Sequence, residues 1–244
     1  MVNADGHTPG LPQADSGSSL EPYLASTPFL NFTHPRVQAF VAQAIEHAHS
    51  PLEQAVKLFY AVRDRIRYDP YRIRFDDASY QASAVVEDGY GWCVPKASLL
   101  AACARSVGIP AAIGLADVVN HLNTEKLRAR MGGIDVFYDH GYVALLLNGR
   151  WVKAVPAFNI ELCERFGVSP TEFDGHSDAL YQEFDAQGRR HMQYQADHGT
   201  WSDLPLDKVR EDFRRFYPAS LVSAAEPAPH ERFENDRPLS SFSR

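Results

Sequence analysis

Apolar side chains along the chain first follow a helical period. Within residues 34–48, Val37, Phe40, Val41 and Ile45 recur three and four apart, and Pro35 suits a first helical turn. Ser50-Pro51 restarts the pattern, and Leu52, Val56, Phe59, Tyr60, Val62 and Ile66 form a broad apolar stripe. That helix is expected to stop near Tyr68-Asp69-Pro70, because a proline ring disfavours helix at the preceding residue. Residues 93–107 predict a third, buried helix with Cys93, Ala97, Leu100, Ala101 and Ala104 on one face, ended by Gly108-Ile109-Pro110.

After Pro110 the period shortens. Residues 111–119 predict a strand, and residues 140–147 a second one after a loop or short helical excursion through Gly132-Gly133. Asn148-Gly149 marks a two-residue hairpin, since both residues tolerate positive φ, and residues 150–158 form the returning strand. Beyond Asn159 the chain is irregular and polar. Residues 173–201, rich in Tyr, His and Asp, read either as a cover over a cleft or as a long surface excursion. One more helix is predicted over residues 206–216. Helices first and a small antiparallel sheet afterwards make an α+β domain rather than an alternating βαβ wind. Its expected extent is residues 21–220, between a flexible polar leader (1–20) and a tail (221–244).

Composition narrows the function classes. With 244 residues, 45% of them hydrophobic, the chain can bury a core without staples. A formal net charge of −7 argues against nucleic acid or an anionic membrane as partner. Three cysteines are a poor disulfide framework, and no apolar run approaches the roughly 20 residues that span a bilayer, so a cytoplasmic protein is expected.

The chemistry concentrates at Cys93. A thiol reacts as its thiolate, and a helix N-terminus lowers thiol pKa through unpaired N–H groups and the helix dipole. Cys93 opens the buried helix after the Gly-punctuated approach Asp88-Gly89-Tyr90-Gly91-Trp92, whereas Cys103 and Cys163 read as buried or incidental thiols. A base must come from elsewhere in the fold. Of ten histidines, His140 opens the strand of a well-defined hairpin; His121 follows the first strand, and the others fall on surface-like helices or in loop-like sequence. No Cys-x-x-Cys, His-x-x-x-His or His-Glu-x-x-His occurs to anchor a metal, so none is expected, nor any cofactor.

Two blocks carry a resemblance. GYGWCVPKASLLAACARSVGIP, from Gly89 to Pro110, resembles the core motif of bacterial transglutaminase-like proteins: Gly-x-Cys, a small-residue helix, then Arg-x-x-Gly-Ile-Pro. DHGYVALLLNGRWVKAVPAFN resembles that family's histidine strand, hairpin and Trp-led strand. The resemblance covers roughly residues 50–160. It implies a papain/transglutaminase-like core, a Cys–His–Asp triad and covalent acyl-enzyme chemistry, with Cys93 as nucleophile and His140 as base. The family's Asp-Pro-Thr, four residues after the strand's Trp, is here Val155-Pro156-Ala157. Asn159, four residues further along, is the first candidate to orient the imidazole, with Asp117, Asp139 or a C-terminal carboxylate as alternatives. Asp139 is the least attractive of these, because adjacent strand residues point to opposite faces. Gln81, Tyr90 and Trp92 are candidates to furnish a second oxyanion donor beside the Cys93 N–H, and Tyr142 to border the pocket. The expected activity is hydrolysis of an amide in a peptide, protein or small molecule. The alternatives are transfer to an amine, or an inactive module of the same fold that binds a peptide or partner.

Overall fold

A computed structural model describes residues 7–8, 10–12, 19–120, 123–180, 192–223 and 231–237. The chain order is β1 (His7–Thr8), α1 (Pro35–Ala44), α2 (Pro51–Arg65), β2 (Arg67–Tyr68), α3 (Ala82–Asp88), β3 (Tyr90–Gly91) and α4 (Cys93–Ser106). There follow β4 (Ala111–Asn120), α5 (Glu125–Arg130), β5 (Val136–Leu147), β6 (Arg150–Ala154), α6 (Ile160–Phe166), β7 (Met192–Trp201), α7 (Leu206–Phe216) and α8 (Ala219–Ser223). The fold is α+β.

Local sequence sets the helix ends. The His34 ring accepts the Arg36 N–H ahead of Pro35, and the Ser50 hydroxyl accepts the Glu53 N–H ahead of Pro51. Gly89, at φ 68°, ends α3 in the left-handed region and turns the chain into β3, leading directly to Cys93.

The long strands form one sheet in the order β1-β7-β4-β5-β6, and every pair is antiparallel. β2 and β3 make a separate parallel pair beside the start of α4. The helix α4 lies against one face of the sheet and is buried from Cys93 through Arg105. An all-round buried helix has to be apolar, and this one is, apart from Lys96, Ser98 and Arg105. The ammonium of Lys96 donates to the carbonyls of Arg63 (2.9 Å) and Ile66 (2.5 Å), the last turn and exit of α2. Burial pulls its pKa down to about 7. Arg105 fans out to the carbonyls of Ala111, Ala25 and Ser202 at 2.6–3.1 Å, tying the helix to the start of β4 and to two distant loops. The Arg of the Arg-x-x-Gly-Ile-Pro motif is therefore a buried clamp.

Three expectations are corrected. The region 173–201 ends in β7, which pairs with β4 along almost its whole length and is part of the sheet. Its two register shifts break the strict alternation by which a strand is recognised. Within the expected leader, His7–Thr8 pairs with Thr200 and Trp201, and the Gly10 carbonyl accepts the Thr200 hydroxyl. Within the expected tail, Phe233 is buried against Tyr68, Tyr71 and Phe166, because those rings leave an apolar surface that needs covering. No helix among the described residues is long and apolar enough to cross a membrane.

Arg105→Ala leaves three carbonyls, that of Ala111 buried, without their donor and is expected to lower unfolding free energy by about 2 kcal/mol. Arg105→Lys should recover only a fraction, because one ammonium cannot reproduce the guanidinium fork. Urea denaturation of the three proteins measures both effects.

Candidate active site

Cys93 is 3% exposed at the first position of α4. Opposite it, the backbone of Gly141 comes so close that an added Cβ would lie 2.8 Å from the Val94 Cα and 3.1 Å from the Cys93 carbonyl oxygen. Glycine is required here by proximity to backbone, not by its own torsions. The Gly141 backbone hydrogen-bonds the Cys93 thiol group and also the His140 ring. Cys93 of α4 and His140 of β5 are thus both neighbours of the Gly141 backbone.

Burial decides the protonation states. It pushes the Cys93 thiol up to about 12, against hydrogen bonds from the Gly141 and Val94 backbone that pull it down, and the nearby charge of Asp139 adds to the rise. The expectation that the helix N-terminus leaves a reactive thiolate is corrected for this closed site, because desolvation outweighs the dipole. His140 is likewise buried, and burial lowers its pKa to about 3. The resting pair is a neutral thiol and a neutral imidazole.

The segment before His140 departs from regular strand geometry. Ala116 pairs with His140 but Val118 with Phe137, so Tyr138 and Asp139 together face the single residue Asp117. This is a bulge, and Asp139 occupies it at φ 55°, a left-handed conformation that Asp tolerates better than most side chains. Strict alternation therefore fails at the point where it was used to set Asp139 aside. The Asp139 N–H donates to Asp117 (3.2 Å), and its fully buried carboxylate accepts the Lys208 ammonium from α7 at 2.5 Å. Lys208 also meets Asp212 at 2.6 Å. A second register shift, between Gly114 and Ala116 on β4, places His198 in the bulge of β7, with Nε2 2.9 Å from Asp117. Asp117, Asp139 and His198 bring ligand-type atoms within 4.8 Å of one another, with the ammonium of Lys208 already among them. Desolvation pushes the Asp139 carboxyl up to about 6, and Lys208 restrains the rise.

Asn159 takes a different place from the one expected. Its amide oxygen accepts the Tyr68 N–H at 3.0 Å and its nitrogen donates to Glu161, so it is a strut between β2 and α6. The family's Asp position, Val155, is buried in the main core. Tyr142 packs over Gly114, donates to Asp197 at 2.8 Å and lies under the Lys153 ammonium. This is the sheet face opposite the Gly141 contact with α4, so Tyr142 is corrected from a pocket residue to a support of the far face. Tyr90 lies beneath Arg67 and Arg72 and lines another recess, with Arg74 and Asp88. Gln81 precedes α3 and carries no cap bond from its side chain. Trp92 does border the thiol: it packs on Tyr80 and Phe213 and lines the cleft that Cys93 faces. His121 lies outside the described residues. Lys208 and His198 were missed by sequence reasoning. In sequence, Lys208 shows only an i,i+4 pair with Asp212, the mark of a solvated helix face.

A cysteine opening a buried helix, held against an antiparallel sheet whose long strand carries a histidine, defines the papain/transglutaminase-like class of α+β proteins. Residues 38–156 match the family model described as the transglutaminase-like superfamily, and that stretch is a transglutaminase-like core. Among solved structures, the chain is similar to a candidate cysteine protease from Cytophaga hutchinsonii, at 13% identity and a TM-score of 0.45 over 75% of this chain and 55% of that one. It is also similar to a candidate protease from Parabacteroides distasonis, at 17% identity and a TM-score of 0.33 over 52% of this chain and 25% of that one. The chain thus spans little more than half of the first and a quarter of the second. No curated protein matches it.

Two outcomes are expected. The unfolded chain protonates its histidines below about pH 6.5, whereas folded His140 stays neutral down to about 3, so stability from this group falls as the pH falls between those values. The stability difference between wild type and His140→Asn should be constant above about pH 7. Below that it should shrink by about 1.4 kcal/mol per pH unit, read from denaturation curves. Lys208→Met leaves the Asp139 carboxylate buried without its cation and should cost about 3 kcal/mol near neutral pH. Adding Asp139→Asn should return most of that loss, measurable by a thermal-shift series.

Proposed function

We propose that the protein is a cysteine-dependent acyl-transfer enzyme that hydrolyses an amide bond of a peptide, protein or small molecule through an acyl-enzyme on Cys93. The observation that carries this reading is the shared contact of the Cys93 thiol group and the His140 ring with the Gly141 backbone at the start of α4. In the proposed reaction the Cys93 sulfur attacks the substrate carbonyl and its proton passes to His140. The amine leaves with that proton, and water then cleaves the thioester, His140 again acting as base. The Cys93 N–H, one of the helix's unpaired first-turn donors, faces the developing oxyanion. Because burial holds both partners neutral, proton transfer accompanies attack instead of preceding it.

Hydrolysis is favoured over amine transfer because water needs no second binding site. A binding module of the same fold is the competing reading. It is favoured by Val155, which cannot orient an imidazole, and by the raised thiol pKa.

Incubation with p-nitrophenyl acetate followed by intact-mass spectrometry separates the two. The enzyme reading expects a transient acetyl adduct on Cys93 and continued p-nitrophenol release. Both should be lost in Cys93→Ala, and release should slow by about 10²-fold in His140→Ala. Acetylation no faster than that of free cysteine would sink the enzyme reading, and turnover indifferent to His140 would remove His140 as its base. Added methylamine that diverts the acyl group to N-methylacetamide would move the activity from hydrolysis to transfer.

A further inference from the structure

Cys93 and His140 are 3% and 2% exposed, and the cleft beside the thiol has room for about one water molecule. A substrate carbonyl with its flanking atoms is larger than that, so a wall has to move before it meets the sulfur. Whatever holds the walls together therefore controls the thiol.

Two walls can be followed outward from the cleft. Tyr68 and Pro70 line one side and continue into Tyr71 and Arg72. Leu127 and Met131 line the other, and Leu127 belongs to α5, which Thr124 caps. Residues 231–237 lie across both. The Asp236 carboxylate accepts the hydroxyl of Tyr71 and, at 3.3 Å, that of Thr124. The Glu231 carboxylate meets the Lys126 ammonium at 2.9 Å, and the Glu231 carbonyl accepts the Arg72 guanidinium at 3.2 Å. Both acidic residues thus hold a partner on each side of the cleft. Between them Phe233, 2% exposed, is seated among Tyr68, Tyr71 and Phe166, with ring centroids 5.3–5.8 Å apart. Arg165 of α6 fixes the segment further, donating to the Glu234 carbonyl and the Asn235 side-chain oxygen.

The walls also touch directly, through the Tyr71 and Thr124 hydroxyls at 3.2 Å and through Lys126 and Arg130 over the Tyr71 ring. Residues 231–237 cover that seam with a buried ring, whose burial outweighs partly exposed ion pairs. We propose that residues 231–237 are an autoinhibitory strap: they staple the two walls of the Cys93 cleft, and the thiol becomes accessible when Phe233 leaves its seat. The catalytic consequence, a latent enzyme, rests on the acyl-transfer reading of Cys93, whereas the strap rests on these contacts alone. Its release is a local opening that leaves the core around α4 folded.

The test uses the full chain. Native protein is alkylated with iodoacetamide in mildly alkaline buffer, and Cys93 and Cys103 are quantified separately by peptide mass mapping. Cys103, fully buried within α4, reports unfolding of the core and is the internal reference. Phe233→Ala should raise the Cys93 rate at least about tenfold while the Cys103 rate stays unchanged. Asp236→Ala should act in the same direction. Phe233→Leu, which keeps an apolar plug, should stay within about threefold of wild type. Acetylation of Cys93 by p-nitrophenyl acetate should rise in proportion across the same variants.

A Cys93 rate in Phe233→Ala and Asp236→Ala equal to that of wild type, or a rise matched by Cys103, would overturn the strap without touching the acyl-transfer reading. Faster alkylation of Cys93 alone, with acetylation no faster than that of free cysteine, would sustain the strap and sink the acyl-transfer reading.

Discussion

The burial of two cations on α4 is the constraint around which the molecule is arranged. Lys96 and Arg105 lie on a helix with no solvent face, and an unpaired charge there would not survive. Each donates to backbone carbonyls held in fixed places: the end of α2 for Lys96, and the start of β4 with two loops for Arg105. The same contacts read in reverse fix α4 along its axis. Cys93 consequently lies at the end of a rod clamped near both ends, and Gly141 admits β5 to within backbone contact of it. The position of the thiol is a property of the core.

Around that fixed point the sheet is deliberately irregular. Two bulges flank Asp117 and turn Asp139 and His198 toward it, and Lys208 of α7 neutralises the pocket that results. The charge of Asp139 adds to the rise of the thiol pKa, and Lys208 holds the Asp139 carboxyl itself down. Through Lys208, α7 acts on the charge of Asp139 without lining up as a catalytic group.

Much of this architecture was legible because it follows from local rules. The starts of α2 and α4, the Asn148-Gly149 hairpin and the whole of α7 come from caps, breakers and period. Cys93 and His140 were legible from helix-start and strand-start positions together with two motif blocks. What escaped depends on pairings distant in sequence. β7 hides behind two bulges and a polar composition. Asp139 was set aside by an alternation that its own left-handed torsion suspends. Asn159 shared a notional strand face with the histidine, but β6 ends at Ala154 and the amide is taken by Tyr68. The thiol pKa was misjudged because a helix dipole is visible in sequence and the depth of burial is not.

The strand order β1-β7-β4-β5-β6 has a consequence for how the chain is made. Synthesis delivers α4, β4, β5 and β6 well before residue 192, so the growing polypeptide on the ribosome holds β4 with one edge unpaired. Such an edge is a template for pairing with any other extended chain. The interior position of β7 makes the interval between Ala154 and Met192 a vulnerable window in biogenesis, closed only when the late strand docks and hands its outer edge to the two residues of β1.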